Sequence, residues 1–359
     1  MINLAELIDV FDTIAPADLA DEGDPIGLQI GDTKSEIRKI CVAVDTTPSV
    51  ISLAIEKNAD VLVTHHPLIY TPLKSVTADN SVARRIIQLI HSNTALFVMH
   101  SNYDIVPNGI NDVLAKLLGV NNAEPLTIRK QFNFYKISVF VPEEAVEKVR
   151  NAMADAGAGR IGQYTHCSFR TPGTGSFVPL STAQPYIGSA GKLEEVEEYR
   201  LEMICAEPWL EYVLEEMLDK HPYDEVAYDL YELANEPLVY GYGRVGTIEK
   251  EMTLQDFADC VAKNLGLKYT KVIGDPEKLI KRVAMCGGSG SSLFKDAIGS
   301  DADVYITGDT KHHDMLDADA MGLAMIDAGH FETEKPGVMM LAERLKTALE
   351  NKIEIEYIE

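Results

Sequence analysis

Two distant stretches of this chain read as copies of one unit, and no other feature restricts its fold as much. Residues 39–66, KICVAVDTTPSVISLAIEKNADVLVTHH, and 281–310, KRVAMCGGSGSSLFKDAIGSDADVYITGDT, each open on a basic residue and a short apolar strand, pass through a small polar loop into a helix, and reach an "AD-V" strand. A helical segment and a third apolar strand follow both, TALFVMHSNYD at 94–104 and GLAMIDAGHFETE at 322–334. Strands that alternate with helices at this spacing require right-handed crossovers, which make parallel sheets. One α/β lobe is therefore expected at each end of the chain.

The middle of the chain has another rhythm. FNFYKISVFV (132–141) reads as a strand, 143–157 as a helix with Val146, Val149 and Met153 on one face, and 161–169 as a second strand. EYRLEMICAE (198–207), a helix from Pro208 to about Lys220 and EVAYDLYEL (225–233) complete a β-α-β-β-α-β order, which predicts a ferredoxin-like α+β insert over 128–238. That leaves 1–127 and 239–359 as the two similar lobes of one discontinuous α/β domain. The stretch RTPGTGSFVPLSTAQPYIGSAG (170–191), rich in Gly, Pro and Ser, is expected to be a long loop, mobile or held by a partner.

Chemistry gathers where the repeated strands end. In DVLVTHHPLIY (60–70), His65 and His66 are neighbours, and neighbours in a strand point to opposite faces. They converge only past the strand, and Pro67 supplies that end; two nearby metal ions, one per histidine, would explain the pair. Asp104 follows His100 by four residues and Glu334 follows His330 by four, so each pair shares a face if a helix begins there. The helix at His330 is expected to be brief, because Pro336 and Gly337 disfavour its continuation. A set of imidazoles and carboxylates suits zinc, manganese, iron or cobalt better than calcium, and Glu334 is the candidate to bridge two ions. A lone histidine at a strand end is ordinarily a polar cap, but His65, His66, Asp104, His330 and Glu334 lie beyond strands in matching parts of both lobes. His312 and His313 enter a helix after GDTK, where exposure or pocket lining is expected in place of ligation, and Asp45 and Asp309 fit either a cap or a ligand. GGSGSS (287–292) leads from a strand toward a helix; its free amides would hold a phosphate, although a tight turn without a ligand fits equally well.

Charge narrows the partners. Against 32 Lys and Arg stand 56 Asp and Glu, a net charge of -24 that repels phosphate backbones and anionic membranes, and no Lys/Arg cluster offsets it. Nucleic acid is a poor expectation. The opening MINLAELIDVFDTIAPADLADEG reads as an acidic amphipathic helix without a basic leader, and no run reaches the ~20 apolar residues of a membrane span. Five scattered cysteines without a CxxC read as reduced thiols, so a cytoplasmic location is expected.

THHP (64–67), HSNYD (100–104), GGSGSS (287–292), YITGDTKHHD (305–314) and DAGHFETE (327–334) together resemble the GTP cyclohydrolase 1 type 2 homologues, the Nif-three-like proteins, in their longer bacterial form with a PII- or CutA-like insert. The resemblance implies a toroidal homohexamer with a dinuclear metal site in each subunit, held by His65, His66, Asp104, His330 and a bridging Glu334. It also implies hydrolytic opening of the guanine ring of GTP. For a metal-dependent hydrolase of that kind, His100 is the nearest candidate proton shuttle, and Gly288, Ser289 and Ser291 are candidates to contact the nucleotide phosphate. The rival expectation is a regulatory or metal-handling hexamer whose insert senses a small effector or partner.

Overall fold

The apolar runs of the repeat are short and buried throughout, as strands covered on both faces must be. In the computed structural model, which describes residues 2–183 and 186–359, they form two sheets. The first has the order Glu354–Tyr357, Lys39–Ala43, Val61–Thr64, Ala95–Val98, Gly27–Ile30, all parallel except the last. In the second, Leu279–Met285, Val304–Thr307 and Ala324–Asp327 are parallel neighbours; Lys271–Ile273 lies on one side and Arg244–Thr253 then Val120–Glu124 on the other, each antiparallel to its inner neighbour.

The sheets do not divide where the insert divides the chain. Glu354–Tyr357 closes the first sheet from the carboxyl end, and Val120–Glu124 joins the second from the amino-terminal part. The lobes thus exchange edge strands, and separating them would break ladder hydrogen bonds in both sheets.

The helix that crosses between them, His330–Ala348, is 19 residues long, which corrects the expectation of a brief one. Pro336 in a helix interior costs about 3 kcal/mol. Val338, Leu341 and Leu345 are fully buried, and each contributes about 1.5–3 kcal/mol, so tertiary packing outweighs the proline. Gly337 is needed for another reason: a Cβ there would lie 2.7 Å from the Cα of Ile110. Its absence lets the helix press against Ile110–Leu117, and Tyr103 donates its buried hydroxyl to the Gly337 carbonyl at 3.1 Å.

Gln131–Val239 forms a separate compact unit. Its sheet order is Tyr228–Tyr240, Lys130–Pro142, Glu194–Ala206, Phe169–Phe177, and the connecting helices Val146–Asp155 and Glu207–Lys220 make it ferredoxin-like. Ile137, Val139, Leu201 and Met203 from the sheet meet Val149, Met153, Val213 and Met217 from the helices in one core.

One strand is displaced from its expected place. Phe169–Phe177 is the second strand of the insert, so 161–169 is mostly turn and the first third of the Gly/Pro-rich stretch is sheet. As an edge strand it tolerates Pro172, and Gly175 leaves room for the Glu198 carboxylate, which a Cβ would meet at 2.2 Å. The remaining part of the expected loop includes Gln184 and Pro185, which lie outside the described residues. Among the described residues no helix is long and apolar enough to cross a membrane.

Candidate metal centre

Past Thr64 the first sheet's ladder runs on for two residues, with the amides of His65 and His66 bonded to the Ala43 and Val44 carbonyls at 3.2 and 2.9 Å. There the strand stops, and the Thr64 hydroxyl donates to the His66 carbonyl at 2.9 Å. The two rings, instead of diverging, have centroids 5.0 Å apart and meet one carboxylate. His65 Nε2 lies 3.6 Å from Glu334 Oε1, and His66 Nε2 3.2 Å from Glu334 Oε2. His65 is also 3.6 Å from Asp104 Oδ1. From the other lobe comes His330, the first residue of its helix, whose Nε2 stands 3.1 Å from Glu334 Oε1 one turn on and 3.1 Å from His66 Nε2.

Each imidazole is anchored by its other nitrogen. Nδ1 of His65 bonds the Met99 carbonyl at 2.9 Å, that of His66 bonds Asp45 at 2.8 Å, that of His100 bonds Asp24 at 2.8 Å, and that of His330 bonds Asp309 at 2.7 Å. An Nδ1–H held this way leaves the Nε2 lone pair facing inward, the arrangement that orients metal-binding histidines.

The donor atoms fit metal ions. His65 Nε2, wholly buried, has no hydrogen-bond partner, and neither has Glu334 Oε2, whose approach to His66 is short but misaligned. Two Nε2 atoms 3.1 Å apart leave room for one proton or cation, not for two N–H bonds aimed at each other. Donors about 2.0–2.1 Å from a tetrahedral zinc ion stand about 3.3 Å from one another, close to the separations found here. His65, His66 and His100 form one group with mutually close donor atoms, and His66, His330 and Glu334 another. His100, expected as a shuttle, thus brings a donor atom close to those of His65 and His66.

Without a metal the cluster is an ion-pair network. Burial disfavours charge on His66, yet the Asp45 and Glu334 carboxylates outweigh it and push the imidazole up to about 10. For His330 the bond to Glu334 comes first; burial opposes it, Asp309 adds to it, and the result is about 9. Burial alone would raise Glu334, but His65, His330 and His66 hold its carboxyl far below the usual range. Asp104, where burial prevails over the nearby imidazoles, is pushed up to about 6.

The glycine-rich loop serves the site differently from expectation. Gly288, at φ +67°, lies so close to Glu334 that a Cβ would meet Oε1 at 2.1 Å. Its amide, where a phosphate was expected, bonds the Thr333 hydroxyl at 2.9 Å; those of Gly287 and Gly290 bond Asn111 and Thr307, both at 2.9 Å. Ser291 is buried and donates to Asp314 at 2.8 Å. Ser289 does line the cavity over the centre. His312 and His313 begin the helix His312–Ala320 and are exposed.

Asp45 and Asp309 prove to be the anchors of His66 and His330. Asp24 was not legible at all: it sits in an unremarkable acidic stretch 76 residues before the histidine it holds, and also accepts the amide of Ser101 at 3.1 Å. The positions of Asp45 and Asp309, each just past a repeated strand, carried a signal.

An imidazole–carboxylate centre set where two interlocked α/β lobes meet, with a ferredoxin-like insert between their sequences, defines a NIF3-type protein. The chain belongs to the Duf34/NIF3 (NGG1p interacting factor 3) family, whose model matches residues 2–359. It is 40% identical over 330 residues to the "GTP cyclohydrolase 1 type 2 homolog" of Bacillus subtilis (strain 168), covering 92% of this chain and 88% of that one. The protein of the same description from Halalkalibacterium halodurans is 39% identical over 350 residues, 98% and 94% of the two chains. Among solved structures, a Bacillus cereus protein related to NIF3 superposes with a TM-score of 0.86 at 39% identity, covering 100% of this chain and 97% of that one.

Proposed function

We propose that the protein is a dinuclear-metal hydrolase acting on a nucleotide, with opening of the guanine ring of GTP the first reaction to test. The observation that carries this reading is the buried, partnerless Nε2 of His65 facing Asp104 and Glu334. His65, His66, Asp104, His330 and Glu334 would hold two divalent ions of zinc, iron, manganese or cobalt, Glu334 between them. Such a pair supplies Lewis acidity and an activated water nucleophile near neutral pH.

The chain's own residues do the rest. Asp45 and Asp309 fix the tautomers of His66 and His330. His100 lines the cavity with Nδ1 on Asp24, which orients its Nε2 to exchange a proton with the substrate. The relatives described as GTP cyclohydrolase 1 type 2 homologs support the choice of GTP.

Chromatographic assay of metal-replete protein with GTP tests the reading, Glu334→Gln being the control. Absence of turnover with GTP and other nucleotides, with two ions per chain retained, overturns it.

A second reading, a metal-handling or regulatory homohexamer, is favoured by a groove of about 500 Å³ on the insert's sheet, lined by Phe140, Phe169, Glu198 and Arg200. Replacing Gln131–Val239 by a short linker separates the two. A hydrolase keeps its turnover, a sensor loses its response, and light scattering reports the assembly.

A further inference from the structure

The cavity over the metal centre measures about 550 Å³, ample for a small ligand. The loop expected to cradle a phosphate has turned three of its amides into the protein. Beyond the charge of the proposed ions, counter-charge for a substrate anion then comes from elsewhere on the wall. Among the described residues lining the cavity, Arg129 is the one lysine or arginine.

Its position is set by the backbone. The amides of Thr127 and Arg129 bond the carbonyls of Tyr242 and Tyr240 at 3.1 and 2.9 Å, and Gly241 permits this approach, since a Cβ there would lie 1.8 Å from the Thr127 carbonyl oxygen. The guanidinium sits over the Tyr242 ring, 5.9 Å from its centroid, and its Nη2 lies 2.7 Å from Asp21 Oδ1. Tyr242 donates its hydroxyl to the second oxygen of the same carboxylate at 2.9 Å. Asp21 thus occupies the place of an anion on Arg129. The pair is half exposed, 52% for Arg129 and 44% for Asp21, and solvent-screened pairs of this kind are weak and easily exchanged.

We propose that Arg129 is the specificity-determining contact for a phosphate group of the substrate. The guanidinium leaves Asp21 and takes two phosphate oxygens in a bidentate pair, while the Tyr242 ring keeps it at the cavity wall. Selectivity for phosphorylated over unphosphorylated molecules then comes from this residue and not from the glycine-rich loop. The inference rests on the nucleotide reading above and names the group by which that substrate is held.

Calorimetric titration of metal-replete protein with GTP and with guanosine tests it, using wild type, Arg129→Met and Arg129→Lys, with metal content and melting temperature measured for each. The expected result is a loss of about tenfold to a hundredfold in GTP affinity in Arg129→Met, unchanged guanosine binding, and partial recovery in Arg129→Lys. If Arg129→Met binds GTP as wild type does, or loses GTP and guanosine equally, the proposal is overturned and the nucleotide reading stands. If wild type with both ions binds neither compound, the nucleotide reading falls and this proposal with it.

Discussion

His66 and His330 turn their Nε2 atoms toward each other at 3.1 Å, although 264 residues separate them in the chain. Each is backed by an aspartate, Asp45 and Asp309 respectively, so neither ring can rotate away without breaking a second bond. The contact draws one histidine from each lobe and places Glu334 within 3.2 Å of both.

Glu334→Gln should lower bound metal from the proposed two ions per chain to one or none, as read by elemental analysis of protein purified without chelator. The amide keeps the shape and loses the charge that holds three imidazoles together. Far-UV circular dichroism should remain that of the wild type, because the residue lies in the opening turns of the helix His330–Ala348 and the amide keeps its shape.

Asp309→Asn and Asp45→Asn should each weaken metal binding about 10–100-fold in a chelator competition, since the anchoring partner of a ligating histidine sets its tautomer and basicity. Asp309 is 59% exposed, so its replacement should leave the melting temperature within a degree or two of wild type. An effect on stability comparable to that on metal affinity would contradict the anchoring role.

Gly288→Ala should damage the centre from the side. The new methyl group would fall 2.1 Å from Glu334 Oε1 at a backbone φ of +67°, and an L-residue in that region costs about 1–2 kcal/mol before any clash. Lower metal content together with a reduced denaturation midpoint is expected; normal loading would show that Glu334 has room to move.

Removing the metal should make stability fall on the alkaline side. In the metal-free protein His66 and His330 titrate near 10 and 9, held up chiefly by Glu334, Asp45 and Asp309 against burial. Unfolded, both return to about 6.5. The folded state therefore binds more protons between these values, and its advantage, complete below pH 6.5, disappears as pH rises through 9 to 10. Chelator-treated protein should show this decline in urea titrations. Metal binding at pH 7 should release protons, detectable by calorimetry in buffers of different ionisation heat.

The insert should respond to acid instead. His221 is buried, accepts the Tyr223 amide at Nδ1 and bonds the Phe140 carbonyl through Nε2, the pattern of a neutral ring. Burial lowers its pKa despite the Phe140 bond. Below pH 6.5 the unfolded chain thus binds the extra proton, and stability falls as pH drops from 6.5 through the folded value. Trp209, the chain's one tryptophan, lies in this unit, so its fluorescence follows the unit's unfolding. His221→Gln should flatten the midpoint between pH 6.5 and 5; an unchanged slope would refute the assignment.

The repeat, the parallel strands and the polar residues that gather past the strand ends were legible because each depends on local pattern: a short apolar run, a polar residue at its end, a spacing of four into a helix. The insert's β-α-β-β-α-β order was legible for the same reason. Its second strand was misplaced because glycine and proline mark loops in general, whereas at an edge they also make room for a neighbour's side chain, as Gly175 does for Glu198. The length of the helix from His330 was misjudged because Pro336 is a local signal, while the burial of Leu341 and Leu345 that overrides it is not.

Local pattern along the chain fixes which residue types stand at the ends of which strands, and hence that imidazoles and carboxylates gather along two sheet edges. Which of them meet is settled by packing between the lobes. Glu354–Tyr357 and Val120–Glu124 cross into the opposite sheets, the helix His330–Ala348 joins the lobes, and Asp24, Asp45 and Asp309 come to stand behind the histidines they orient. A strand's hydrophobic period specifies the face it buries; the partner that completes a hydrogen bond across 76 or 264 residues is selected by packing, which no local period encodes.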